Sequence, residues 1–331
     1  MTTTAIPVSD ERTRTPVTYV PMSVAALPPV DGHAPPWPGR QLDVGGLNVH
    51  VRCTPGVAER TAVFVHGLGG SSTNWTDFAG QLSSYAAGYA VDLPGFGRSE
   101  PPKGYRFTIE EQANTVAKLI ESLGAPVDLF GNSMGGTISV RVAARHPELV
   151  RTLTLISPGM PDLRPYTSRL SDPRLVLAYL PGIGRSMRRQ LAKVPPREQA
   201  AAVLRLCFAD PTLVAEHRLD EAAAELVEWG SRRWANRAIS SATVSLFRAW
   251  LAPPAKSLWR LLPEISVPSL VIWGTDDKLV TVRKAPRTAA LLPNSRLLIM
   301  PGVGHVAQME RPRSVARAVL GMWEAVEDGR W

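Results

Sequence analysis

A serine, an imidazole and a carboxylate can together turn a hydroxyl into a nucleophile, and this 331-residue chain carries each in a setting that would expose it. The serine is Ser133, in Gly131-Asn132-Ser133-Met134-Gly135-Gly136. The apolar run Val127-Asp128-Leu129-Phe130 precedes it, and a helix-compatible stretch, Thr137 to His146, follows. A G-x-S-x-G pattern between strand and helix puts its serine on a sharp, strained bend with the hydroxyl projecting above the sheet. The glycines are required because strand and helix pass too close for a β-carbon. The helix N-terminus then directs partial positive charge at any oxyanion forming beside it. Serine is a poor nucleophile at neutral pH and needs a base held by an acid. His305, in Val303-Gly304-His305-Val306, follows the apolar run Arg296-Leu297-Leu298-Ile299-Met300, so it stands on a loop at a strand end. Asp276 and Asp277 occupy the turn Thr275-Asp276-Asp277-Lys278, beyond the buried-strand pattern Pro268 to Gly274. Spacing alone does not choose between the two aspartates. The chemistry such a set performs is acyl transfer at a carbonyl carbon.

The elements that must position these groups follow from periodicity. Leu42 to Cys53 alternates around Gly45-Gly46, which predicts a hairpin. Thr61 to Val65, Tyr89 to Val91, Val127 to Phe130 and Leu153 to Ile156 read as strands. Between them, Thr108 to Leu123 has helical apolar spacing, and Thr108 with Glu111 forms a capping box. Apolar strands alternating with helices predict an α/β fold, a mostly parallel doubly wound sheet covered on both faces. The alternation stops at about Pro161. From there to Leu262 apolar residues recur at helical spacing, with breaks at Pro195-Pro196 and Pro253-Pro254. The domain reading is therefore a proline-rich leader over residues 1–40, flexible or strap-like, a core over 41–160 and 263–331, and an inserted helical cap over 161–262. A cap placed there is expected to roof Ser133 and set acyl-chain preference without entering the chemistry.

Composition excludes several classes. Hydrophobic content of 44% supports a sizeable core, and no apolar run approaches the roughly 20 residues of a membrane span. The leader lacks a basic start and an apolar block, which argues against a secretory signal. Cys53 and Cys207 give neither a disulfide framework nor metal spacing, which fits a cytoplasmic location. The six histidines, at 33, 50, 66, 146, 217 and 305, show no ligand-like pairing, so no metal or organic cofactor is expected. Residues 160–262 carry 16 Lys and Arg against 9 Asp and Glu, so +7 of the chain's +8 sits there. Arg185-Ser186-Met187-Arg188-Arg189 and Arg232-Arg233 stand out, with Trp229, Trp234, Trp250 and Trp259 interleaved. No nucleic-acid motif accompanies them, so the expectation is a solvated basic face, with weak attraction to anionic membrane surfaces as the alternative. The oligomeric state is not legible.

Five segments together resemble the α/β-hydrolase family in its capped, serine-dependent form. They are His66-Gly67-Leu68-Gly69-Gly70, Asp92-Leu93-Pro94-Gly95-Phe96-Gly97-Arg98-Ser99, the serine elbow, Trp273 to Asp277, and Gly304-His305 with Glu310 and Pro312. The order Ser, Asp, His is also that family's. The resemblance implies a triad of Ser133, His305 and Asp277, with Asp276 capping the turn. It implies an oxyanion hole from the backbone N–H groups of Leu68 and Met134. His66 reads as a brace for its loop, Asp92 as the anchor of its turn, and Glu310 and Arg311 as structural. Gly69, Asn74 and Trp75 are candidates for the pocket wall, with packing as the other role open to Asn74 and Trp75. The activity implied is hydrolysis of a small, apolar carboxylic ester through an acyl-enzyme. The alternative is carbon–carbon bond hydrolysis of a vinylogous diketone from aromatic-ring degradation. The elbow resembles that group, whereas the Gly-Leu-Gly-Gly-Ser-Ser loop and Val306 depart from it. A third reading, from another class, is a non-catalytic binding protein on the same fold.

Overall fold

The computed structural model describes residues 14–56, 59–124, 126–161 and 193–331. One eight-stranded sheet organises them, in the order β1-β2-β4-β3-β5-β6-β7-β8. The strands are β1 (Gly39–Asp43), β2 (Asn48–Thr54), β3 (Thr61–Val65), β4 (Ala87–Val91), β5 (Val127–Asn132), β6 (Val150–Ile156), β7 (Ser269–Gly274) and β8 (Ser295–Met300). The glycine pair closes the β1–β2 hairpin, where both Gly45 and Gly46 have positive φ, as a tight hairpin turn requires. β1 and β2 are antiparallel to their neighbours, and every pairing from β4 to β8 is parallel. A buried parallel sheet accounts for strands such as β5 and β7, mostly apolar and buried along their whole length.

The helices of the core are α1 (Thr76–Leu82), α2 (Ile109–Ser122) and α3 (Met134–Arg145). Between β6 and β7 stand α4 (Pro196–Cys207), α5 (Glu216–Gly230) and α6 (Ala235–Trp250). The core then adds α7 (Ala285–Leu291), α8 (Ala307–Glu310) and α9 (Pro312–Glu327). Thr108 and Glu111 do form the capping box of α2. On α6, Ala238, Ile239, Ala242, Leu246 and Trp250 make a one-sided buried stripe that joins Met134 and Met160 in the larger core cluster.

Residues 14–38 lie along the core as a strap. Val17 pairs with Arg296 and so covers the exposed edge of β8. Ser23 N–H donates to the Arg317 carbonyl on α9, the Gln81 amide to the Pro28 carbonyl, and Trp37 Nε1–H to the Thr76 carbonyl. The first part of the leader, and the basic cluster Arg185–Arg189, lie outside the described residues.

The order reverses around β3, which β4 and β5 flank. Loops leaving the carboxyl ends of strands at such a reversal diverge and leave a crevice. The His66–Gly70 loop leaves β3 there, and Ser133 leaves β5.

Candidate active site

Ser133 has φ 55° and ψ −119°, a conformation that side chains rarely hold. The turn is compressed on every side. A β-carbon on Gly135 would overlap the Val65 carbonyl oxygen, and one on Gly131 would come within 2.5 Å of the Gly135 oxygen. The Ser133 backbone itself is anchored, its N–H donating to the Ile156 carbonyl and its carbonyl accepting from Gly159 N–H at 2.8 Å. Asn132, whose role the sequence reading passed over, sits just before it. Its side-chain amide donates to the carbonyls of Ile156 and His305, each at 3.0 Å. That bridge draws the histidine loop onto the elbow.

Asp277 and His305 meet across 28 residues. His305 Nδ1 lies 2.8 Å from Asp277 Oδ2, and both side chains are buried. Asp277 Oδ1 accepts from the N–H groups of Leu279 and Val280 at 2.8 and 2.9 Å, which keeps Oδ2 free for the imidazole. Asp276 is exposed, and its carboxylate reaches the Thr275 hydroxyl at 3.3 Å. The fold thus pairs Asp277, and not Asp276, with His305. A carboxylate at Nδ1 sets the tautomer with the proton on that nitrogen, leaving Nε2 as the basic one. Nε2 is buried and bonds to no other group among the described residues.

The loop after β3 lies against the nucleophile. A β-carbon on Gly67 would stand 3.1 Å from Ser133 Cβ, so Leu68 follows directly at the serine. Met134 opens α3, where its N–H has no carbonyl one turn back. Gly69, at φ 74°, faces Ile239 of α6, whose Cδ1 would be 3.5 Å from an added β-carbon. Asn74 and Trp75 have packing and capping partners. The Asn74 side chain closes a capping box with Ser71, and Trp75 is fully buried, stacked on Phe64. A rigid aromatic core needed the indole there, a demand that local sequence does not reveal.

His66 is spent on structure. Nδ1 donates to the Gly67 carbonyl and burial lowers its pKa, while Nε2 accepts from Leu93 N–H, so the lone pair a second base would need is already engaged. Burial alone would raise the Asp92 carboxyl. Hydrogen bonds from His50 Nδ1, Arg98 N–H and Ser72 N–H outweigh it and hold the group below the usual carboxylate range. Burial, with the Asp277 charge added, pushes the Cys207 thiol up to about 12, so it does not compete as a nucleophile.

The helices between β6 and β7 dock by polar contacts as well as packing. Ser245 Oγ accepts from Ile109 N–H at the start of α2, and the indoles of Trp229 and Trp250 donate to the carbonyls of Gly95 and Gly159. Arg232 pairs with Glu228 inside the insertion, and Arg233 reaches Glu100 on the core. Among the described residues no cluster of three or more His, Cys, Asp or Glu could hold a metal ion, and no helix is long and apolar enough to cross a membrane.

Fold and site define a hydrolase class, and comparison with known proteins agrees. The alpha/beta hydrolase fold family model matches residues 62–312, and the chain belongs to that family. It is 28% identical to a 2-hydroxy-6-oxononadienedioate/2-hydroxy-6-oxononatrienedioate hydrolase of Burkholderia vietnamiensis, over 83% of this chain and 90% of that one. It is 27% identical to a 2-hydroxy-6-oxo-6-phenylhexa-2,4-dienoate hydrolase of Burkholderia cepacia, over 78% and 85% respectively. Among solved structures, a membrane phospholipase A superposes with a TM-score of 0.69 at 25% identity, covering 88% of this chain and 87% of that one.

Proposed function

We propose that this protein is a serine hydrolase of the carbon–carbon type, cleaving a 2-hydroxy-6-oxo-dienoate, a vinylogous diketone. The observation that carries the reading is the likeness to dienoate hydrolases along most of both chains, joined to a buried Asp277–His305 pair beside a strained serine. In this mechanism His305 Nε2 takes the Ser133 proton as Oγ attacks the C6 carbonyl. The N–H groups of Leu68 and Met134 hold the oxyanion. The C5–C6 bond then breaks. The bond breaks in the 2-keto tautomer, in which the 2-hydroxyl proton has moved to C5; the electron pair delocalises from C5 through the C3–C4 double bond onto the C2 oxygen, which takes the proton from His305. Water, activated by the same imidazole, releases the C6 acyl group as a carboxylic acid. No metal or organic cofactor enters. Two free cysteines fit a cytoplasmic enzyme.

The second reading is the carboxylic ester hydrolase expected from the sequence. Val306 favours it, standing where carbon–carbon hydrolases tend to carry tryptophan, as does the phospholipase likeness. One panel separates them: a 2-hydroxy-6-oxo-phenyl-dienoate, followed by loss of its visible absorbance, beside p-nitrophenyl esters of increasing chain length. The carbon–carbon reading expects the dienoate to have the highest kcat/KM. An ester ahead of it by tenfold or more transfers the assignment to the esterase.

A further inference from the structure

Both loops that carry the acid and the base are bonded to one short segment inserted between β6 and β7. It is the C-terminal end of α4 and the residues after it, Arg205 to Asp210. His305 N–H donates to the Cys207 carbonyl at 2.7 Å. Lys278, next to Asp277, donates through Nζ to the carbonyls of Arg205 and Phe208 at 2.9 and 3.0 Å. The Glu310 carboxylate spans the two sides. It accepts from Gly304 N–H at 2.8 Å on the histidine loop, and from Ala209 and Asp210 N–H at 3.3 Å on the inserted segment. Backbones meet directly here, since a β-carbon on Gly304 would overlap the Cys207 carbonyl. A helix ends with carbonyls that lack partners along its own axis, and in α4 the catalytic loops supply two of them.

We propose that Arg205–Asp210 is part of the catalytic scaffold, with Glu310 as the positioning residue that ties it to His305. This rests on the Ser133–His305–Asp277 reading. His305 is held at both backbone polar groups, its N–H by Cys207 and its carbonyl by Asn132. The insertion therefore grips the base from one side and the elbow grips it from the other. A shift of this segment passes directly to the imidazole, and displacements of about 1 Å at a reacting group can cost about 100-fold in rate. A chain in which 161–262 is replaced by a short linker loses the partner of His305 N–H.

The test uses the full chain and two variants, Glu310→Ala and Glu310→Gln. The activity readout is labelling of Ser133 by a small fluorophosphonate, resolved into maximal rate and half-saturating concentration. The second readout is the low-field proton resonance of His305 Nδ1–H, which reports the bond to Asp277 without catalysis. Glu310→Ala is expected to lower the maximal labelling rate about 10- to 100-fold, with half-saturation little changed, and to hasten solvent exchange of the low-field proton. Glu310→Gln keeps one acceptor oxygen and is expected to fall between Ala and wild type on both measures. Should Glu310→Ala fail to fold, the nearly isosteric Gln variant carries the test. Wild-type rate and wild-type proton exchange in a folded variant overturn the inference. Absence of labelling in the wild type overturns the serine reading instead, a separate result, and the proton exchange still decides whether Glu310 positions His305.

Discussion

Replacing Asp277 by asparagine tests the site at its most constrained atom pair. Oδ1 of Asp277 accepts two buried backbone N–H groups, and Oδ2 faces His305 Nδ1 at 2.8 Å. The asparagine must place its oxygen at one position and its NH2 at the other. Turning the NH2 toward Leu279 and Val280 would strand two buried donors, at about 1–3 kcal/mol each. The oxygen therefore stays with those donors, and the NH2 faces His305. Imidazole Nδ1 must then accept, so the ring proton moves to Nε2, where it blocks removal of the Ser133 proton. A wrong tautomer of this kind costs about 10⁴ in kcat, which is about 5 kcal/mol of transition-state stabilisation. Folding should change little, because the side chain keeps its shape and its two backbone partners. Asp276→Asn, at an exposed site, should stay within about twofold. The assay is kcat on the best substrate of the panel, with the fluorophosphonate rate measured in parallel and thermal unfolding as the control. Asp277→Asn above a tenth of wild-type activity, or Asp276→Asn falling further than it, would refute the argument.

Ser133→Ala should leave a folded protein whose kcat is down about 10⁴- to 10⁶-fold; more than a few per cent of activity on the preferred substrate contradicts a nucleophilic role. Gly135→Ala should fail to fold or lose 3 kcal/mol or more, because the added carbon meets the Val65 carbonyl, and a normal denaturation midpoint would show that the elbow can relax. Asp92→Asn should cost about 2 kcal/mol by losing charge-assisted hydrogen bonds, read as a shift in chemical denaturation at pH 7. Because the Asp92 carboxyl is held low, its contribution is present above the unfolded pKa and lost as pH falls from about 4 through the lower folded value. The thermal midpoint of the wild type should therefore fall in acid more steeply than that of the variant, and parallel curves would refute the assignment.

Much of the molecule was legible in the chain. The period-two and continuous apolar runs of β2 to β8, the capping box before α2 and the glycines of the elbow are local properties, set by sterics and hydrogen bonding within a few residues. For the same reason Ser133 and His305 could be named from their own neighbourhoods. Tertiary structure decided what depends on partners far along the chain. Asp276 and Asp277 are chemically identical, and only the fold buries one against His305 and leaves the other in water. Trp75 looked equally suited to pocket or core until Phe64 and Phe78 surrounded it. The proline-rich leader gave no periodic signal, yet residues 14–38 close the β8 edge and cross α9 through contacts some 280–300 residues away. Glu310 and Cys207 looked merely structural because their effect runs through backbone amides and carbonyls, which every residue has. Which of these groups meets the catalytic histidine is determined by chain geometry and not by side-chain identity.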